Sequence, residues 1–241
     1  MLFFCYSIYY ITSFNKKNIC SQIVKILYLI ITICAIGVLG SRTALLCLLL
    51  FMTLCDIYKR KKTKIIKRGF ALALILVLGG YLFPLIYIYL YSKYGSEGLV
   101  FLGKDLFTGR EYIWNYNIEN LISSPTSLLF GTNVISVYEI DNNLHNMYLT
   151  ILIRTGVVGV SIYWFLFLGM LRRCIKGIQK ESDTLHIKIS HTHLYVFLLL
   201  AILLYGFFEK SFTWAIFMPF GLYPFMVLMS NYYENKRICH A

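Results

Sequence analysis

The sequence predicts an all-α, polytopic helical membrane protein, and three observations carry that prediction. The 241-residue chain is 59% hydrophobic but only 14% charged, where a soluble domain normally carries about 25% charged residues. Its apolar runs approach or exceed the ~20 residues a bilayer-crossing helix needs. Its basic residues cluster in short stretches between those runs, as the positive-inside rule expects of cytoplasmic loops. That distribution turns the formal net charge of +12 away from nucleic-acid binding.

The elements follow in order. The first 14 residues form an apolar run that is marginal as a span and lacks the basic start of a signal peptide. Residues 22–39 form a first crossing, with Lys25 expected to snorkel to the interface. Gly40, Ser41 and Arg42 interrupt it, and 43–57 returns. The cluster Lys59-Arg60-Lys61-Lys62, followed by Lys64, Lys67 and Arg68, marks the cytoplasmic side. Residues 69–91 cross outward, with Gly79-Gly80 and Pro84 as packing or kink positions. Residues 144–171 cross back, and 191–208 and 212–231 form a final hairpin. The expectation is one membrane domain over 1–241 with six spans and a candidate seventh at the N-terminus.

Between the third and fourth spans lies an extracytoplasmic loop, 92–143, with six acidic and three basic residues. Within it, Thr108-Gly109-Arg110-Glu111 has the spacing of a capping box. Trp114, Ile118, Leu121 and Ile122 then recur at helical spacing, which predicts an amphipathic helix ended by Pro125. Arg110 would stand in that helix's first turn, against the macrodipole. Arg42 repeats the arrangement after Ser41, a fitting N-cap. Two guanidinium groups beside free helix-start N–H groups would suit a phosphate or pyrophosphate, with interfacial anchoring as the alternative for each.

His145 follows Asp141-Asn142-Asn143, all good N-cap types, and is expected in the first turn of the next span. There it could serve as a general base, with a purely structural role as the alternative. Arg154 falls roughly 14 Å further along a straight helix, at a depth where an unpaired charge costs at least about 2.5 kcal/mol. It should therefore face the bundle interior, a cavity or a helix break near Gly156 and Gly159. Seven cysteines form no C-x-x-C pair and read as small apolar residues. No metal or cofactor site is expected.

The G-S-R-T-A at 40–44, the T-G-R-E-Y-I-W at 108–114, the L-F-G at 129–131 and the H-N-M-Y-L…T-G-V-V-G at 145–159 together resemble the O-antigen ligase and O-antigen or capsular polysaccharide polymerase superfamily. The chain resembles its C-terminal half. The resemblance implies a metal-independent, inverting glycosyl transfer on the extracytoplasmic face of the bacterial inner membrane. A glycan on undecaprenyl pyrophosphate would pass to the hydroxyl of a lipid-linked acceptor, with a chain-length regulator as a protein partner. Carried over by position, Arg42 and Arg110 would hold the departing pyrophosphate and His145 would take the acceptor's proton. Trp114, Glu111, Asn146 and Tyr148 would face the substrate, with packing as the alternative role for the two aromatics. Glu209 would orient an arginine.

Polymerase and ligase differ in acceptor, a lipid-linked repeat unit or a finished lipid core. A composition rich in Ile, Lys, Asn and Tyr suggests an AT-rich genome and favours a capsule or exopolysaccharide polymerase. The non-enzyme alternative, a flippase of the same lipid-linked sugar, would place its polar groups at the midplane of broken helices. An inert truncated remnant is the third.

Overall fold

A computed structural model describes residues 2–13, 18–38, 41–60, 64–95, 100–101, 104–105, 109–132, 144–185, 191–208, 226–227 and 230. Among them the elements are helical apart from a two-residue antiparallel ladder, β1 (Val100–Phe101) with β2 (Lys104–Asp105), which pairs Val100 with Asp105. The helices are α1 (Leu2–Thr12), α2 (Ile19–Val38), α3 (Arg42–Arg60), α4 (Lys64–Tyr94), α5 (Arg110–Ile122) and α6 (Pro125–Phe130). The stretch Met147–Leu185 is broken at Gly156, where φ is 61° and ψ −173°. We therefore describe it as α7 (147–155) and α8 (157–185), followed by α9 (His191–Tyr205). Three stretches are long and apolar enough to cross a membrane: Ile19–Val38, Arg68–Tyr94 and Met147–Lys176, the last including the break. The chain is a helical membrane protein, and α1, at 11 residues, is too short to span one.

By its contacts the chain divides into two compact units. The first holds residues 1–73, 170–205 and 218–241. Its centre is α9, in which Leu194 to Leu203 are all buried, as expected for a helix that is apolar on every side. Against α9 lies α3, whose stripe of Cys47, Leu48, Phe51, Leu54, Cys55 and Tyr58 is buried at helical spacing. The Tyr58 and Phe197 rings meet edge to face with centroids 5.5 Å apart. The α3 start forms as its sequence predicts: Ser41 Oγ accepts from the Ala44 N–H, and its carbonyl accepts from Leu45.

In α2 one face, carrying Lys25, Thr32 and Ile36, is buried, while Ile23, Ile26, Leu27, Ile30 and Ile31 are exposed. Exposed branched aliphatics of that density are what a lipid-facing span presents. Lys25 itself does not snorkel outward; it lies 7% exposed on the inward face. The expected span 212–231 lies outside the described residues except at 226–227 and 230.

The second unit holds residues 74–169 and 206–217. Along α4, Ile75, Leu78, Leu82, Leu85, Ile86 and Tyr89 form an exposed stripe, and Val77, Pro84 and Tyr87 lie on the buried side. Trp114, Tyr87, Leu144, Leu149 and Ile153 make its core, with Phe83, Ile88, Ile113, Ile118 and Leu152 packed around them. The helix expected in the long loop thus exists as α5, but it packs on α4 and α7 as well as presenting an outer face. Its buried face is Glu111, Trp114, Asn117 and Leu121, whereas Ile122, expected inward, is exposed. Pro125 ends nothing more than the link after α5: it opens α6, whose N-cap Ser124 accepts from the Ser127 N–H at 3.1 Å.

The sequence reads as one crossing over 144–171, and here the structure departs most. The Tyr148 and Trp164 rings stack with centroids 5.6 Å apart and an interplanar angle of 19°. In a straight helix, residues 16 apart stand about 24 Å from one another. Gly156, eight residues from each, is where α7 folds back on α8. The physical reason is a backbone that only glycine adopts easily and a close approach that only glycine permits. A Cβ on Gly156 would lie 2.3 Å from the Leu129 carbonyl oxygen, and one on Gly131 2.4 Å from that of Arg154. The end of α6 is thereby seated on the hairpin's tip, and the Thr132 N–H donates to the Ile153 carbonyl at 2.8 Å. That carbonyl would have served Val157 had the helix run on.

Candidate active site

The α5 start is built one residue away from the expected capping box. Thr108 lies outside the described residues, and the N-cap is Gly109, at φ 82°. The Glu111 side chain still reaches back, accepting from the Gly109 N–H through Oε1 at 3.1 Å. Its Oε2 is buried with no hydrogen-bond partner among the described residues, and the whole residue is 4% exposed. Arg110 is the first residue of α5 and half-buried, as Arg42 is the first residue of α3 and half-buried. Each cation therefore opens a helix, as predicted.

One turn beyond Arg110, the indole of Trp114 is fully enclosed among Phe83 and Tyr87, with ring centroids 5.8 and 5.1 Å away. Its Nε1 donates to the Leu144 carbonyl at 2.7 Å. Leu144 precedes His145, so this bond ties the helix of Arg110 to the segment of His145. Among the described residues His145 is the only non-glycine residue with positive φ, at 43°. It is half-buried and sits two positions before α7, outside the first turn where it was expected.

Asn146 explains that shift. It is the residue that caps α7, its Oδ1 accepting from the Leu149 N–H at 2.7 Å. Its Nδ2 donates to the Phe207 carbonyl at 2.8 Å, and the next N–H, of Met147, donates to Gly206. With Leu144 fixed on one side and Asn146 on the other, the left-handed turn is forced on the residue between. Such a conformation costs about 1 kcal/mol or more and persists where surroundings over-determine it.

Tyr148 is fully buried against Tyr81, Trp164 and Phe207. A Cβ on Gly80 would meet its ring at 2.2 Å, so the glycine seen as a packing position in α4 is the floor on which Tyr148 lies. Gly80 stands near the middle of the Arg68–Tyr94 span. Along α7, His145 lies beside the end fastened to Gly206 and Phe207, and the exposed Arg154 lies by the tip.

Of the sequence-predicted residues, the second unit gathers Arg110, Glu111, Trp114, His145, Asn146 and Tyr148, and Arg42 belongs to the first unit. The Trp114, Asn146 and Tyr148 side chains have packing or hydrogen-bond roles within the fold. Glu209 lies outside the described residues. Sequence reasoning missed the tie from Trp114 to Leu144 and the service of Thr132 to Ile153, because neither bond leaves a local pattern. No group of three metal-ligating side chains occurs among the described residues.

A model of the family described as O-antigen ligase matches residues 27–164, more than half of the chain. The chain belongs to the O-antigen ligase family. No curated protein and no solved structure matches it. The match takes in the Gly40-Ser41-Arg42 sequence, all of α3 to α7 and the first two turns of α8. It ends at Trp164, before Glu209. Membership of the O-antigen ligase family places the protein among membrane enzymes of polysaccharide synthesis.

Proposed function

We propose that the protein is a polysaccharide polymerase working on the extracytoplasmic face of the bacterial inner membrane. It transfers glycan from an undecaprenyl-pyrophosphate-linked donor to a hydroxyl of a lipid-linked acceptor. His145 takes the proton of that hydroxyl. The oxygen attacks the anomeric carbon from the side opposite the leaving group, the bond from that carbon to the pyrophosphate breaks, and configuration inverts. Arg110 and Arg42 stabilise the negative charge that gathers on the departing undecaprenyl pyrophosphate, and Glu209 orients one of them. No metal takes part. Glu111, whose Oε2 has no hydrogen-bond partner among the described residues, faces the substrate side of this group.

The supporting observation is the bond from Trp114 Nε1 to the Leu144 carbonyl. It links the cation at the head of α5 to the backbone beside the base, within one packed core. A repeat-unit acceptor, rather than a finished lipid core, is the reading that the AT-rich composition favours, and a chain-length regulator is its expected protein partner.

Membranes containing the protein, supplied with lipid-linked repeat units, test this directly. A ladder of chain lengths that disappears in His145→Ala is the expected result. A single transfer to a lipid core would make the protein a ligase. Precursor confined to the inner face in cells carrying His145→Ala would make it a transporter.

A further inference from the structure

The tip of the α7–α8 hairpin carries an arginine that the reaction does not use, and its surroundings say where the bilayer begins. Taken as one helix, Met147–Lys176 is 30 residues long, about 45 Å, against a hydrocarbon core of about 30 Å. Folded at Gly156, the part over 157–176 is about 30 Å long by the same rise and matches that thickness. The side chains agree. In α7, Met147 to Ile151 and Ile153 are buried, so this arm offers no apolar face to lipid. Immediately after the turn, Val157, Val158, Ile162, Phe165 and Leu166 are exposed, Phe165 to 79%. Arg154 and Thr155, just before it, are exposed and polar.

We propose that the tip of this hairpin, Arg154 to Gly156, lies at the headgroup level of the bilayer, with the Arg154 guanidinium among lipid phosphates. Residues 157–176 cross the hydrocarbon, and α7 re-enters the bilayer's thickness on the protein-covered side. An arginine in hydrocarbon is costly, whereas one at the interface is an ordinary anchor. Non-helical backbone at membrane depth is tolerated where protein supplies its partners, which is what Thr132 does for Ile153. The proposal concerns placement in the membrane and stands whether or not the protein polymerises glycans.

Four variants in lipid nanodiscs test it: Arg154→Cys and Thr155→Cys at the tip, Ile162→Cys and Phe165→Cys in the crossing part. Each is treated with a membrane-impermeant maleimide, and adducts are counted by intact mass against the parent chain. The expected result is one extra adduct for each tip variant that folds and none for the other two until the sample is denatured. Tip variants that stay unlabelled until denaturation would put Arg154 inside the membrane or the protein core and overturn the proposal. Labelling of Ile162→Cys or Phe165→Cys in the nanodisc would overturn it equally, because that face would not lie against acyl chains.

Discussion

Trp114 and Leu144, thirty residues apart, are joined by a 2.7 Å hydrogen bond from indole Nε1 to a buried backbone carbonyl. The indole is both an apolar plug between Phe83 and Tyr87 and the donor that places the residue before His145. Trp114→Phe keeps an aromatic ring in the plug and removes the donor. The stranded carbonyl should cost about 1–3 kcal/mol. A lowered thermal unfolding midpoint in detergent, together with a fall in polymer yield larger than the fall in folded protein, is expected. An unchanged midpoint would show that the bond does not hold the turn.

His145 separates catalysis from conformation, because its positive φ suits glycine better than alanine. Both His145→Gly and His145→Ala remove the proposed base and should abolish polymer. Folded yield and unfolding temperature should be higher in His145→Gly than in His145→Ala. Retained polymer in the glycine variant would remove the imidazole from the chemistry.

Gly156→Ala meets both a positive φ and the Leu129 carbonyl at 2.3 Å. It should prevent the hairpin from closing on α6 and lose most of the folded protein. Gly131→Ala strikes the same contact from the other side, so the double variant should cost far less than the sum of the two. Gly37→Ala and Gly169→Ala, where a Cβ meets nothing within 4 Å, are the matched controls and should fold like the parent. Yield of monodisperse protein in detergent reads all five.

Asn146 spends its carbonyl on the α7 cap and its amide on Phe207. Asn146→Asp keeps the acceptor and loses the donor, whereas Asn146→Ala loses both. A cap is worth about 1 kcal/mol, so the alanine variant should unfold at a lower temperature than the aspartate variant. Equal midpoints would mean that the cap contributes nothing.

Much of the architecture is legible in local pattern. Long apolar runs define α2 and α4, Ser41 announces the start of α3, and a 3.6-residue period in Trp114 and Leu121 announces α5. What stays hidden is tertiary. Gly131 and Gly156 each read as ordinary punctuation, and nothing in either neighbourhood tells that one is pressed against the backbone beside the other. A helix break near Gly156 is among the surroundings expected for Arg154, but that the chain reverses there leaves no local pattern. His145 shifts by a smaller error: four successive residues, Asp141 to Leu144, precede it, and the cap is taken by Asn146 beyond. The buried tie of Trp114 to Leu144 is likewise a donor and an acceptor chosen by packing rather than by spacing.

The short arm between His145 and Gly156 is fastened at each extremity, to Gly206 and Phe207 below and to Thr132 above. It is a strut rather than a flap. Turning or sliding it would break bonds at two distant places at once, so the backbone that carries the His145 imidazole stays where the strut sets it.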